Sequence, residues 1–245
     1  MLKKLLIKIA NSLGFDIYKK PGKTYTHFLR LLNDHQIDCL LDVGANTGQY
    51  SMKLRKYGYN GKIISFEPQS VTFQKLAENS KNDTNWEVLH YALGAEDATA
   101  EINISANTES SSLLDIKDIH VDAAPSAKYI GKEKITLKKL DSVFSELQLQ
   151  QQKLFLKIDT QGFEMEVLKG AEKVLDKIIG LQLELSTTEL YTNELLFDEI
   201  IDYLKHKGFH LYLIEPGIVN EKTGRLLQFD GIFFKTSKNV YKTLQ

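Results

Sequence analysis

The stretch that decides the fold is Cys39-Leu40-Leu41-Asp42-Val43-Gly44-Ala45-Asn46-Thr47-Gly48-Gln49-Tyr50. An apolar run stops at Asp42, two glycines follow at Gly44 and Gly48, and a polar helical pattern begins there. This pattern is typical of a buried strand that turns sharply into a helix. Glycine permits positive backbone torsion angles and close approach of a ligand, and a helix start offers unpaired N–H groups. The stretch therefore indicates either a nucleoside-cofactor site or an ordinary strand-to-helix turn.

Strand and helix patterns alternate around this stretch. Buried strands are predicted at residues 38–43, 62–67, 86–91, 154–159 and 181–185. Helical patterns cover 24–36 and 50–57, and a further helix is predicted to start at Pro68. The same pattern returns after the strands ending at Asp159 and Leu185. A βαβ order predicts an α/β fold of the Rossmann-like type, with a parallel sheet and right-handed crossovers.

Two segments depart from this order. Within an insertion at about 100–138, two half-exposed strands, 100–105 and 134–138, flank a polar loop, 106–131. No helical pattern separates the last strands, 209–214 and 231–235, so they are predicted to form an antiparallel hairpin. We expect one domain over residues 38–245, preceded by a helical segment over 1–37.

Composition and charge limit the class of protein. The chain has 245 residues, 42% of them hydrophobic, enough for one large core. Its 31 basic and 32 acidic residues give a net charge of −1, which gives no indication of nucleic acid as a partner. Cys39 is the single cysteine and cannot form an internal disulfide, and no secretion signal is recognised. A cytoplasmic location is expected.

The amino-terminal residues are basic and amphipathic. Residues 1–23 contain six lysines and one acid, and leucine and isoleucine recur at helical spacing. The favoured interpretation is a helix packed on the domain with its lysines in water. The alternative is a peripheral contact of residues 1–13 with an anionic membrane surface.

Acidic residues end four of the predicted strands, at Asp42, Glu67, Asp159 and Glu184. Ligands of open α/β sheets bind beyond these strand ends. Glu67 follows the glycine loop by about twenty residues, the offset at which an acid accepts ribose hydroxyls in dinucleotide sites. Its alternative role is to favour the dipole of the helix that follows. The upstream glycine loop favours the ribose contact.

Asn46 separates two cofactor classes. A pyrophosphate needs glycine two residues after Gly44, and this chain has Asn46 there. An asparagine side chain obstructs a pyrophosphate but can bind the amino-acid end of S-adenosylmethionine, and Asp42 suits that molecule's ammonium group. The pattern favours a methyl donor over a nicotinamide dinucleotide.

Five motifs resemble the FkbM family of S-adenosylmethionine-dependent methyltransferases. They are Asp42–Tyr50, Phe66-Glu67-Pro68, Ser111-Ser112-Leu113, Leu140-Asp141 and Lys157-Ile158-Asp159-Thr160-Gln161-Gly162-Phe163-Glu164. The resemblance covers about residues 38–234. It implies a seven-stranded methyltransferase sheet with the terminal antiparallel hairpin at one edge. It also implies an enzyme that transfers a methyl group to a hydroxyl. Many members carry Glu where this chain has Gln161.

Candidate site residues follow from these patterns and the resemblance. The expected cofactor contacts are Asp42, Gly44, Ala45, Asn46, Gly48, Tyr50, Glu67, Pro68, Ala92, Leu93 and Asp159. Asp159 is the first catalytic candidate, with a helix cap as its alternative role; Glu184 and the weaker Glu164 are the others. Asp159 and Glu184 could instead share a divalent metal, although a metal-free site is favoured. Ser111, Ser112 and His120 are weaker candidates for substrate contact.

Three functions are compatible with these residues. The leading hypothesis is an S-adenosylmethionine-dependent O-methyltransferase acting on a small metabolite, sugar or glycolipid. A nicotinamide-dependent oxidoreductase is disfavoured by Asn46. A non-catalytic cofactor-binding module is the third, and Gln161 is its only indication.

Overall fold

The computed structural model describes residues 22–150 and 152–235. The amphipathic segment 1–13 lies outside the described residues, so its membrane contact stays a prediction. Within them, no helix has both the length and the apolar character needed to cross a membrane.

The described residues form helices and strands in an alternating order. The α-helices are α1 Lys23–Asp34, α2 Gln49–Lys56, α3 Ser70–Ser80, α4 Asp118–Ala123, α5 Leu140–Val143, α6 Glu164–Gly170 and α7 Phe197–His206. The strands are β1 Cys39–Val43, β2 Lys62–Phe66, β3 Trp86–Leu89, β4 Ala92–Leu93, β5 Ala98–Ser105, β6 Tyr129–Lys138, β7 Leu154–Ile158, β8 Ile178–Ser186, β9 Phe209–Pro216, β10 Val219–Asn220, β11 Arg225–Leu226 and β12 Gln228–Lys235.

Seven strands form the main sheet in the order β3-β2-β1-β7-β8-β12-β9. The pairs from β3 to β8 are parallel, and β12 runs antiparallel to both of its neighbours. The predicted Rossmann-like methyltransferase sheet with a terminal antiparallel hairpin is therefore confirmed. Strand order reverses between β1 and β7, which places the expected ligand crevice at their carboxyl ends.

The insertion forms a second sheet of three strands, β4-β6-β5. The predicted pair is confirmed as antiparallel β5 and β6, and the short β4 joins parallel to β6. The loop predicted at 106–131 is partly wrong, because it contains α4 and a 3-10 turn at Pro125–Ala127. Ile116 and Ile119 from this region pack with Leu190, Tyr191 and Leu227 in a small separate core. The few apolar residues of this mostly polar segment are thus buried in a core, and the segment is structured.

Both faces of the main sheet are covered, as its continuous apolar strands require. Leu41 and Val43 of β1 point into the core beneath α6 and α7, whereas Leu40 points into the opposite core with Phe28 and Leu32 of α1. All of these side chains are almost completely buried. The two cores hold β1 rigidly at the centre of the sheet, so its carboxyl end is a fixed platform for the glycine loop.

Candidate active site

A cavity of about 440 Å³ opens at the carboxyl ends of β1, β2, β7 and β8. It lies at the reversal of strand order, where the fold places its ligands. Of the predicted cofactor residues, those that line it are Gly44, Ala45, Asn46, Tyr50, Glu67, Pro68, Ala92, Leu93 and Asp159. Glu184 and Ser111 also line it. Asp42, Gly48, Ser112, Glu164 and His120 are not part of its wall.

The glycine loop is shaped by its protein neighbours. Gly44 has a φ of +72°, and a Cβ there would lie 1.9 Å from the backbone oxygen of Asp159. Gly48 has a φ of +87°, and its Cβ would lie 2.7 Å from the Trp86 ring. Gly48, predicted to contact the cofactor, is not part of the cavity wall and instead caps α2 against a buried aromatic ring. Both glycines are required by packing before any ligand is considered.

Glu67 is fixed by the backbone of the glycine loop. Its Oε2 accepts a hydrogen bond from the Asn46 N–H at 2.8 Å, and its Oε1 accepts one from the Gln69 N–H at 2.9 Å. Burial raises the pKa of Glu67 to about 7, against the lowering effect of these two bonds. Each carboxylate oxygen can accept a second hydrogen bond, so Glu67 retains capacity for ligand hydroxyls at the cavity wall. The helix α3 begins at Ser70 rather than at Pro68, two residues later than predicted.

Asn46 joins the glycine loop to the insertion. It has a φ of +48°, a conformation that asparagine tolerates better than most residues. Its Oδ1 accepts from the Thr47 N–H at 2.7 Å, and its Nδ2 donates to Thr108 Oγ1 at 3.3 Å. The side chain expected to bind a methionine moiety is therefore already bonded within the protein. A second tie, from Gln49 Nε2 to Glu109 Oε1 at 3.2 Å, holds the same loop over the cavity.

Asp42, predicted to contact a cofactor ammonium directly or through water, is not part of the cavity wall. The residue is fully buried, and the Lys157 ammonium lies 3.1 Å from its Oδ1. Lys157 Nζ also lies 3.3 Å from Asp159 Oδ2 and donates to the Gly44 carbonyl at 3.1 Å. A buried carboxylate requires such compensation. Lys157 was missed as a site residue, although a lysine inside the apolar strand β7 is the signal that could have identified it.

Two acidic side chains, Asp159 just after β7 and Glu184 near the carboxyl end of β8, bind the same amide group. Gln161 Nε2 donates to Asp159 Oδ1 at 2.8 Å and also to Glu184 Oε2. Burial raises the pKa of Glu184 well above its ordinary value, and the charges of Asp159 and Asp230 raise it further. Asp230 lies opposite Glu184 in the β8–β12 register and was missed, because its position depends on that pairing. The prediction that Asp159 and Glu184 lie together is supported by this geometry.

The metal alternative for this pair finds no support in the contacts. The Gln161 amide N–H groups point at both carboxylates, so donors occupy the position that a bridging cation would need. Across residues 22–150 and 152–235, no group of three or more His, Cys, Asp or Glu side chains is arranged to hold a metal ion.

Glu164, the weaker catalytic candidate, is buried and is not part of the cavity wall. Its Oε1 accepts from the Thr160 N–H at 2.8 Å and from Thr160 Oγ1 at 3.2 Å. The carboxylate thus closes the turn that begins α6. Ser112, a predicted substrate contact, also serves the fold, because its hydroxyl donates to the Gln161 carbonyl at 2.7 Å. Ser111 alone of the two serines lines the cavity.

His120, a weaker candidate for substrate contact, does not line the cavity. It is fully buried, its ring packs edge-on against Tyr191 at 5.1 Å, and neither ring nitrogen has a hydrogen-bond partner. Burial lowers the pKa of His120 to about 4. The imidazole therefore acts as an apolar filler of the small core beneath the cavity wall.

Neutral His120 should make the protein sensitive to acid. Because the unfolded chain binds a proton near pH 6.5 and the folded chain only near pH 4, stability is full above pH 6.5 and falls as pH drops through this window. At pH 5 the loss attributable to His120 is about 2 kcal/mol. Urea unfolding at pH 7.5 and pH 5 should show that His120→Leu removes this part of the pH dependence. An unchanged difference between the two pH values would contradict the assignment.

The comparison with known families agrees with this geometry. A family model described as the methyltransferase FkbM domain matches residues 42–211. The chain belongs to the FkbM methyltransferase family. The matched region begins at the glycine loop and includes the ends of β2, β7 and β8, so the family assignment covers most of the cavity wall.

Individual relatives are distant. Methyltransferase 1 of Beauveria bassiana (strain ARSEF 2860) is 26% identical over 192 residues, which are 72% of this chain and 74% of that protein. The 2-O-methyltransferase NoeI of Sinorhizobium fredii (strain NBRC 101917 / NGR234) is 22% identical over 171 residues, 67% of this chain and 70% of that protein. A crystal structure of methyltransferase FkbM from Methylobacillus flagellatus KT aligns with a TM-score of 0.48 and 13% identity, over 81% of this chain and 43% of that chain. The chain thus spans less than half of that solved protein.

Proposed function

We propose that this protein is an S-adenosylmethionine-dependent O-methyltransferase that acts on a hydroxyl of a small metabolite, sugar or glycolipid. The observation that carries the proposal is a single cavity with carboxylates on both sides of β1. Glu67 lies on the β2 side of β1, and Asp159 and Glu184 lie on the β7 and β8 side. Methyl transfer requires the donor and the hydroxyl acceptor to be bound at the same time, on opposite sides of the methyl carbon, so each needs its own binding groups. The relative NoeI is named a 2-O-methyltransferase, which is consistent with the proposal.

The residues on the β2 side fit the donor. Glu67 can accept from ribose hydroxyls while its own position is held by two backbone N–H groups. The same cavity is lined by apolar side chains that suit a purine ring: Leu93, Ile102, Ile135 and Phe163. When bound, S-adenosylmethionine supplies an activated methyl group on a sulfonium.

The residues on the β7 and β8 side fit proton removal from the acceptor. Asp159 binds two protein groups, the Gln161 amide through Oδ1 and the Lys157 ammonium through Oδ2, and we assign it the role of holding them. We assign Glu184 as the general base, because it lines the cavity and its raised pKa makes it a stronger proton acceptor than an ordinary carboxylate once it is ionised. Asp159, the first candidate from sequence, is thereby assigned the supporting role.

Glu67→Ala is expected to weaken binding of S-adenosylmethionine about 100-fold, since two hydrogen bonds to a charged acceptor are lost. Calorimetric titration measures this directly, and the rise of melting temperature with ligand should largely disappear. In the unsubstituted protein the affinity should fall as pH drops below about 7, because protonation of Glu67 removes acceptor capacity. Glu67→Gln should abolish that pH dependence. Equal affinity of Glu67→Ala and the parent protein would contradict the site.

Methyl transfer itself is tested with S-adenosylmethionine carrying an isotopically labelled methyl group and a panel of hydroxylated acceptors. The proposal expects label on oxygen in a sugar, glycolipid or small-metabolite product, located by mass spectrometry. Label found only on nitrogen or carbon would reject O-methylation. Saturable binding of NADH with no binding of S-adenosylmethionine would reject the methyl donor.

A further inference from the structure

We propose that Gln161 is a positioning residue whose side-chain amide joins Asp159 and Glu184 into one unit and keeps Glu184 ready to accept a proton. The catalytic consequence rests on the proposed function. The structural part does not, because it concerns contacts within the protein. A single amide nitrogen has two hydrogens, and here each can serve one carboxylate, at 2.8 Å to Asp159 Oδ1 and in contact with Glu184 Oε2.

The backbone conformation at Gln161 and Gly162 directs the Gln161 side chain toward the carboxylates. Gln161 has a φ of +58° and the next residue, Gly162, has a φ of +92°, so two successive left-handed residues turn the chain sharply after β7. Left-handed backbone is costly for a residue with a Cβ and persists where surrounding contacts determine it. The Gln161 carbonyl is held by the Ser112 hydroxyl from the insertion at 2.7 Å. This turn brings the amide back over the end of its own strand.

Tyr191 determines which end of the amide faces the carboxylates. Its hydroxyl lies 2.6 Å from Gln161 Oε1 and 3.3 Å from the Ser110 carbonyl. A tyrosine hydroxyl has one hydrogen, and the shorter distance identifies the amide oxygen as its acceptor. With Oε1 held in this way, Nε2 must point toward Asp159 and Glu184. Tyr191 is fully buried, so water does not compete for this bond.

The Gln161 amide affects the ionisation of Glu184 because several acidic groups surround this residue. Two neighbouring carboxylates resist carrying charge at the same time, and hydrogen-bond donors to the charged forms reduce that resistance. The titratable groups that face the pair from the adjoining elements are Lys157 on β7, Glu164 on α6, Asp230 on β12 and Tyr191 after β8. Lys157 is the cation among them, and it also neutralises Asp42. A carboxylate in place of the Gln161 amide would remove two donors and add a third negative charge.

The test replaces the amide without emptying its space. Gln161→Met keeps a similar length and removes both donors, Gln161→Glu also adds charge, and Tyr191→Phe removes only the orienting hydroxyl. Carboxyl resonances of protein labelled with carbon-13 at Asp and Glu are titrated without cofactor, with Asp159→Asn and Glu184→Gln used for assignment. We expect the midpoint for Glu184 to rise by about one pH unit in Gln161→Met, by more in Gln161→Glu and by less in Tyr191→Phe.

Turnover provides the second readout. The acid limb of kcat should move upward in the same order, by about tenfold in rate per pH unit at a fixed low pH, while the Kd for S-adenosylmethionine stays within about twofold. Unchanged carboxyl titrations in Gln161→Met and Gln161→Glu would overturn the inference and leave Gln161 a spacer. Shifted titrations in a protein that transfers no methyl group would uphold the inference and reject the proposed function.

Discussion

Gly44→Ala is expected to lower the free energy of unfolding by about 3 to 5 kcal/mol. Two costs add at this position. The φ of +72° is unfavourable for a residue with a Cβ, and the new methyl group would lie 1.9 Å from the backbone oxygen of Asp159. Asp159 directly follows β7, whose register with β1 is fixed by continuous pairing, and its N–H donates to the Val43 carbonyl, so neither chain can move aside cheaply. Urea-induced unfolding followed by far-UV circular dichroism measures the loss.

Gly58→Ala is the matched control, because it separates torsional strain from close contact. Gly58 has a φ of +97°, but a Cβ there would meet nothing within 4 Å. Its substitution should therefore cost only the left-handed conformation, about 1 to 2 kcal/mol. If Gly44→Ala yields no folded protein while Gly58→Ala folds, this result also supports the close contact between Gly44 and Asp159. Equal losses in the two variants would show that β1 and β7 are not packed as closely as described.

The sheet could be predicted because its signals are local. Apolar runs such as Leu154–Ile158 identify buried strands by composition, and the helical patterns between them imply parallel pairing with one hand of crossover. Glu67 was identifiable for the same reason, since a strand end and a glycine loop at a known separation are both visible along the chain. The missing helical pattern between β9 and β12 was sufficient to predict the antiparallel hairpin.

Side-chain partners could not be predicted, because they depend on contacts across the sheet. In the sequence, Asp42 has no visible partner and could bind a ligand. In the structure it pairs with Lys157, which lies 115 residues further along the chain. The glycine at position 44 suggested space for a ligand, but the neighbour that requires glycine there is Asp159, just after the adjacent strand β7. His120 looked exposed because its own segment is polar, while the apolar surface that buries it, around Tyr191, comes from another region.

Gln161 shows the same limit in a different form. As an isolated departure from a family motif it suggested a loss of function. In the structure it is bonded on both sides, to two carboxylates through its nitrogen and to Tyr191 through its oxygen. Whether an amide weakens or supports a site depends on what surrounds it, and that information is tertiary. Asp230 reaches the same cluster only through the β8–β12 register.

Glu184→Gln is expected to reduce kcat by about 10² to 10⁴, the usual contribution of a positioned general base. The amide oxygen of the substituted residue can still accept from Gln161 Nε2, so the local structure should persist. Glutamine cannot take a proton from the acceptor hydroxyl. Methyl transfer measured under saturating acceptor should therefore fall, while the Kd for S-adenosylmethionine changes little because Glu67 and the glycine loop are untouched.

The pH profile separates a base from a binding residue. Burial raises the pKa of Glu184, so in the parent protein kcat should increase with pH until this carboxylate is ionised, and Glu184→Gln should lack that limb. Glu164→Gln is the matched control, since Glu164 is a second carboxylate with a raised pKa, but it is buried and its hydrogen bonds go to Thr160. It should alter kcat by less than about tenfold and keep the limb, moved to lower pH because a neighbouring negative charge is lost. If Glu164→Gln removes the limb and Glu184→Gln does not, the base is assigned to the wrong carboxylate, and the acceptor then approaches from the α6 side of the cavity.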